Sequence, residues 1–247
     1  MALFRDIDCR LYKNTFLQSV LVMYSFEKKD LSFFDGGFNE RFGKFLSENF
    51  GLVIDKDIKE APISVKRGDG IVDYVFGNGF AGVKINARKY RSYGESVAPH
   101  THNLKVFAKE VVGLEKVTSF SLRKINIWPF EAQKGEKIDV EALKSELLSE
   151  EILNSDLKPD NSINVAGAQK FEKDEKELKA VIRLVPMPVG ADGTKVNFVV
   201  DIETILDPAS GVELTDTGSK LRELNKTLYN AFHWTVSESV INLMKGE

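Results

Sequence analysis

Two histidines one residue apart carry the sharpest chemical signal in the chain. They lie in Pro99-His-Thr-His-Asn103. On an extended segment His100 and His102 would point to one side and could ligate a single metal through neutral imidazole nitrogens. A metal centre also needs a third and fourth ligand. Glu95, Glu110 and His233 are candidates that the sequence does not place. If a helix starts earlier, the two rings diverge and the pair reads as exposed residues at a helix start.

A second cluster lies just upstream. Lys84, Arg88, Lys89 and Arg91 interleave with Tyr90 and Tyr93, so cationic side chains could contact phosphates while the tyrosines stack on bases of a single strand. On a strand, Lys84 and Arg88 share one face and Lys89 and Arg91 the other. The competing reading is a solvated edge strand whose charges block edge-to-edge aggregation. Further on, Asp201 and Glu203 alternate on one face of a strand, a spacing suited to acid/base or Mg²⁺ work, or simply to a strand with one wet face. No G-x-S-x-G or phosphate-loop pattern occurs, and the glycines between the β-rich runs, including Gly77-Asn-Gly79-Phe-Ala-Gly82, read as turn chemistry. Phe232 and Trp234 are candidate anchors for a partner.

These residues must be held by elements that the hydrophobic pattern predicts. Phe16 to Phe26 reads as a buried strand, and a Phe stripe from Phe33 to about Asn49 predicts an amphipathic helix. Gly68-Asp-Gly70 and Gly77-Asn-Gly79 separate short β-rich runs, which predicts a three-stranded meander. A helix is expected over Ser96 to Gly113 and a strand over Val117 to Trp128, stopping at Pro129. Residues 131–139 are polar and mark a boundary. Beyond it a helix carries Val140, Leu143, Leu147 and Leu148, followed by strands at Ser162 to Phe171, Leu178 to Met187 and Val196 to Leu206. From Asp216 the positions Leu221, Leu224, Leu228, Phe232, Val236, Val240 and Met244 recur at helical steps. Thr235-Val-Ser-Glu238 fits a capping box, so a second helix is expected to begin near Trp234 and to stop at Lys245-Gly246. The expected fold is α+β, with two associated halves, 1–130 and 137–247. Each is a mainly antiparallel sheet covered by helices, β-α-β-β-β-α-β and then α-β-β-β-α. The shared order of helix, meander and helix suggests a structural pseudo-repeat, although the residues themselves do not repeat.

Composition narrows the function classes. The chain has 247 residues, 43% hydrophobic and 29% charged, an ordinary globular balance. With 34 Lys and Arg against 37 Asp and Glu, the net charge of −3 makes no whole-molecule case for nucleic acid or an anionic membrane. The single Cys9 cannot form an internal disulfide, and no leader pattern or membrane-length apolar run is present, so a cytoplasmic location is expected.

Leu122 to Trp128 (LRKINIW), Asn197 to Thr204 (NFVVDIET) and the terminal LRELNKTLYNAFHWTVSESVINLM fall in an order that resembles a sporadically distributed prokaryotic family of uncharacterised proteins of similar length. In that family an L-R-Y-I-N strand precedes a D-I-D strand and a closing helix with an aromatic, a Ser/Thr step and an acid, matched here by Phe232, Thr235, Ser237 and Glu238. Lys124 stands where Tyr is usual and Glu203 where the second Asp is usual. The resemblance brings no activity to carry over. The sequence points to a binding or assembly component that meets a protein partner or another copy of itself, without a cofactor. A nucleic-acid module using residues 84–93 and a metal-dependent hydrolase on His100 and His102 are the rivals.

Overall fold

The computed structural model describes residues 3–7, 12, 15–28, 36–53, 62–67, 70–87, 90–133, 136–157 and 167–246. The fold is α+β. Along the chain run β1 (Leu17–Ser25), α1 (Gly36–Phe50), β2 (Ile63–Arg67), β3 (Val72–Gly77), β4 (Phe80–Asn86), α2 (Tyr93–Ser96) and α3 (Ala98–Val106). A π-helical turn, Phe107–Val111, follows, then β5 (Lys116–Val117), β6 (Ser119–Glu131), α4 (Val140–Leu147) and α5 (Glu150–Leu153). The chain closes with β7 (Gln169–Glu175), β8 (Leu178–Pro188), β9 (Lys195–Leu206), β10 (Val212–Glu213), α6 (Thr217–Thr235) and α7 (Glu238–Lys245). Eight strands form one sheet in the order β2-β3-β4-β1-β6-β9-β8-β7, and β10 pairs with β5 in a two-stranded ribbon.

That order answers the question of a repeat at the level of topology. In the first part β1 is followed by a helix and a meander whose last strand, β4, lies beside β1. In the second part β6 is followed by helices and a meander whose last strand, β9, lies beside β6. The same connection is used twice by residues that do not match in sequence.

Two compact units share the chain. Unit 1 takes Met1–Ser19, Arg123–Thr204 and Leu224–Glu247; unit 2 takes Val20–Leu122 and Ile205–Glu223. Each therefore draws most of its residues from one of the linear halves 1–130 and 137–247 and borrows a shorter segment from the other.

Unit 2 is organised by aromatic rings. On α1, Phe38, Phe42 and Phe45 lie at helical spacing and are each 2% exposed or less. Phe42 meets Phe76 of β3 edge-on at 5.7 Å and Phe107 at 5.8 Å. Burying a side chain of this size stabilises by roughly 1.5–3 kcal/mol, and edge-to-face rings add specificity of orientation. β3 and β4 join through Asn78-Gly79, where Gly79 has φ +98°, a conformation that strains residues with a Cβ.

In unit 1, alternate residues of β9 and β8 turn a greasy face toward α6. Phe198, Val200, Ile202, Ile182 and Leu184 are buried, as are Leu224, Leu228, Ala231 and Phe232 on the helix. Trp128 of β6 stacks on Phe232 with centroids 6.2 Å apart. Thr204 Oγ1 donates to the Leu224 carbonyl, and Lys124 Nζ donates to Asn225 Oδ1 at 2.9 Å, so α6 is fastened to β9 and β6 by polar contacts as well.

Several boundaries differ from expectation. β6 runs through Pro129 to Glu131, and the ladder beyond it is continued by the Ala132 N–H donating to the Thr194 carbonyl. The helix expected over 96–113 is divided into α3 and the π-turn, and the short α2 precedes it, ending at Ser96. The separate helix α7 begins at Glu238 with Ser237 as its cap, whereas Thr235 ends α6 and its hydroxyl bonds back to the Ala231 carbonyl at 2.8 Å. Gly246, with φ +78°, closes α7 as the Lys245-Gly246 pair predicted. Of the expected strand at 162–171, residues 162–166, like Phe33, lie outside the described segments, and β7 begins at Gln169, after a turn at Gly167. No described helix is long and apolar enough to cross a membrane.

Candidate functional site

The stripe of α6 opposite its buried face collects the N-terminal segment of unit 1. Lys226, Tyr229, Asn230 and His233 lie three or four residues apart and so share one side of the helix. Lys226 Nζ donates to Asp6 Oδ2 at 2.8 Å, and Asn230 Oδ1 accepts from the Ile7 N–H at 3.2 Å. The Tyr12 hydroxyl lies 3.0 Å from that of Tyr229 and hydrogen-bonds to His233 Nε2. The Tyr12 and Tyr229 rings stack with an interplanar angle of 12°. The ammonium of Lys226 holds the Asp6 carboxyl below its ordinary range.

The opposite wall is a double cap. Ser149 is the N-cap of α5, accepting from the Ile152 N–H, and its hydroxyl donates to the carbonyl of Trp234. Ser237 is the N-cap of α7, accepting from the Val240 N–H, and its hydroxyl donates to the carbonyl of Glu146 at 2.7 Å. Between them the backbones pair: Ser149 N–H donates to the Thr235 carbonyl at 2.9 Å, Ser237 N–H donates to the Leu147 carbonyl at 2.8 Å, and Leu148 faces Val236 across an antiparallel bridge. The turn between α4 and α5 is thereby clamped to the turn between α6 and α7. Free backbone groups at both helix ends are satisfied.

These two walls bound an open cleft of about 1400 Å³ within unit 1. Among the described residues its lining holds five carboxylates (Asp6, already paired with Lys226, and Glu146, Glu150, Glu151 and Glu238) and two cations (Arg5 and Lys245), beside Tyr12, Tyr229 and His233. Ile7, Leu148, Val236 and Ile241 supply aliphatic floor. The arrangement can offer hydrogen-bond acceptors, negative charge and aromatic faces on a rigid frame. No group of three or more His, Cys, Asp or Glu positioned to hold a metal ion occurs among the described residues.

The residues singled out in the sequence fall elsewhere. His100 and His102 sit on α3, where two positions apart means opposite sides of the helix. His100 Nδ1 lies 2.7 Å from the hydroxyl of buried Tyr74, which accepts from Asn103 Nδ2 at 3.1 Å, while His102 is exposed. Burial, reinforced by the nearby Arg67 charge, lowers the His100 pKa. Of the basic-aromatic stretch, Lys84 is exposed on β4 opposite Asp73 of β3. Arg91 is exposed beside Glu95, Tyr90 is half-buried, and Arg88 and Lys89 lie outside the described residues, as does Cys9. Tyr93 is also half-buried, and desolvation pushes its hydroxyl up to about 12. Phe232 is 6% exposed and spent on Trp128. Trp234 is half-buried against Phe4 with centroids 5.5 Å apart, and Lys173 Nζ sits 4.8 Å from the Phe4 centroid and 5.4 Å from that of Trp234.

Asp201 and Glu203 do share one face of β9, and that face is occupied by arginines. Arg123 Nε donates to Asp201 Oδ1 at 2.7 Å and its Nη2 to Oδ2 at 2.5 Å; Arg183 reaches Glu203 at 3.1 Å and Asp201 at 3.4 Å. The two carboxylates are internal anchors of the sheet. Sequence reasoning missed Tyr12, Tyr229 and Ser149, and it offered His233 only as a possible metal ligand. Ser237 was legible as part of the Thr/Ser/Glu step after Trp234, with the cap placed two residues too early, at Thr235. No protein-family model matches the chain, and no curated protein matches it.

Proposed function

We propose that the protein is a binding or assembly component and that a partner protein docks in the cleft of unit 1. The carrying observation is the cleft's size and character. At about 1400 Å³ it exceeds the roughly 300–1,000 Å³ typical of small-molecule sites. Those sites are mostly apolar, whereas this lining is rich in charge and hydroxyl groups, the character of a protein interface rim. The frame is suited to recognition because the double cap locks one wall and α6 supplies the other, so little ordering free energy is lost on binding.

Ser239 is exposed and lines the cleft. A photo-cross-linking amino acid placed there, in the full chain and in its native cell, should capture a protein in a nuclease-resistant adduct. The same group at exposed Lys84 should not. Adducts from residue 84 alone, or adducts that vanish on nuclease treatment, would move the binding site to the basic-aromatic stretch.

A further inference from the structure

We propose that Tyr12, Tyr229 and His233 form a binding site for a ferric ion. The inference is independent of partner docking and rests on three donor atoms brought together from distant parts of unit 1. Tyr229 and His233 are four residues apart on α6, with ring centroids 4.7 Å apart, so the helix presents both from one side. That spacing is the one by which a single helix supplies two ligands to a metal. The N-terminal segment brings the third: the Tyr12 hydroxyl oxygen lies 3.0 Å from that of Tyr229 and closer still to His233 Nε2. Metal bonds of about 2.0–2.1 Å set at right angles hold neighbouring donor atoms about 2.9 Å apart. The hydrogen-bonded cluster therefore already has nearly the spacing of adjacent ligands in a coordination sphere.

Donor type selects the ion. The ligating atoms are two phenol oxygens and a ring nitrogen, so the stacking of the Tyr12 and Tyr229 rings on one another fixes the oxygens in place without engaging them. Binding exchanges the two phenol protons, which leave to solvent, for two metal–oxygen bonds. Phenols hold those protons well above neutral pH. A divalent ion displaces them poorly, whereas a strongly polarising trivalent ion that prefers anionic oxygen does so readily. Imidazole nitrogen also suits iron. All three residues line the open cleft, which gives the ion a path from solvent and leaves its remaining positions to water or a small anion. Glu146, Glu150, Glu151 and Glu238 on the same lining favour the approach of a cation.

Titration of the metal-free full chain with iron(III) nitrilotriacetate tests the site. One equivalent should give a visible phenolate-to-iron charge-transfer band with tyrosinate modes enhanced in its resonance Raman spectrum, and the iron should stay with the protein through gel filtration. Zinc or magnesium in excess should not displace it. Tyr12→Phe and Tyr229→Phe should each diminish the band and weaken iron binding at least about tenfold, the loss that even groups behind the ligands produce. His233→Gln should weaken binding and keep the band, since both phenolates remain. Tyr93→Phe, in unit 2, should change nothing. No binding, iron that binds without the band, displacement by excess zinc, or a band that survives loss of both cleft tyrosines overturns the proposal. The first three outcomes are read on the unaltered chain, so a variant that fails to fold does not shelter it. The Ser239 cross-link reads partner docking without iron, so the two claims fail separately.

Discussion

Ser149 and Ser237 cap two different helices, and each hydroxyl also bonds a carbonyl of the other's turn: Ser149 holds Trp234, and Ser237 holds Glu146. The pair is separated by most of the second half of the chain, yet it forms the rigid wall of the cleft. Losing an N-cap costs about 0.5–2 kcal/mol. Ser237→Ala and Ser149→Ala are each expected near the upper end of that range because a second bond is lost with the cap. The double variant should cost less than the sum, since either single change already loosens the shared bridge between Leu148 and Val236. Urea unfolding of the four proteins in a double-mutant cycle measures the coupling.

On the sheet of unit 1, Arg123 grips Asp201 through two nitrogens, and the Asp201 side chain is 6% exposed. Arg123→Met leaves that carboxylate with only the longer contact from Arg183. The expected loss is about 2–3 kcal/mol, the range for a hydrogen bond to a buried charge. Lys220→Met, which removes an exposed pair with Glu223, should change stability by no more than about 0.5 kcal/mol. Chemical denaturation of both variants decides it, and comparable losses would assign Arg123 no more than a surface role.

His100 Nδ1 lies 2.7 Å from the Tyr74 hydroxyl; because Asn103 donates to that hydroxyl, its own proton is left for the neutral His100 ring, and burial with the Arg67 charge lowers the His100 pKa. The folded chain therefore binds a proton here less readily than the unfolded chain. Stability from this contact is full above the ordinary histidine pKa, about 6.5, and is lost as pH falls through that value toward the depressed folded one. Melting temperature measured between pH 8 and 5 should fall on the acid side, and His100→Gln should flatten that limb. An unchanged slope in the variant would assign the acid limb to other groups.

Phe42 is fully buried and touches Phe38, Phe45, Phe76 and Phe107. Phe42→Ala should cost about 3–5 kcal/mol because the ring cluster cannot close over the cavity, whereas Phe42→Leu should cost roughly half as much or less. Equilibrium unfolding gives both values.

At high pH two tyrosines of unit 2, buried Tyr24 and half-buried Tyr93, act in the opposite sense from His100. Desolvation pushes Tyr93 up to about 12 and raises Tyr24 further. Unfolded tyrosines ionise near pH 10, so folding loses stability as pH rises from about 10 toward 12. Absorbance near 295 nm should show part of the tyrosine titrating only with unfolding, and Tyr93→Phe should reduce the alkaline loss.

The sequence by itself determined the class of fold and the order of its elements, because periodicity and turn chemistry act over a few residues. The Phe stripe of α1, the Asn78-Gly79 hairpin and the Gly246 stop were all legible for that reason. It also showed that Asp201 and Glu203 share a face, but not that Arg123 and Arg183 occupy it, since that depends on which strands become neighbours. Tertiary structure alone decided that the meanders join a single eight-stranded sheet, that His100 turns to Tyr74 and away from His102, and that Ser149 meets Ser237. Each of these depends on residues far apart in the chain, and the hydrogen bonds and charge contacts involved leave no local pattern to read. The cleft is the clearest case: its tyrosines, glutamates and caps come from the N-terminal segment, the α4–α5 turn and the closing helices, and only packing brings them to one place.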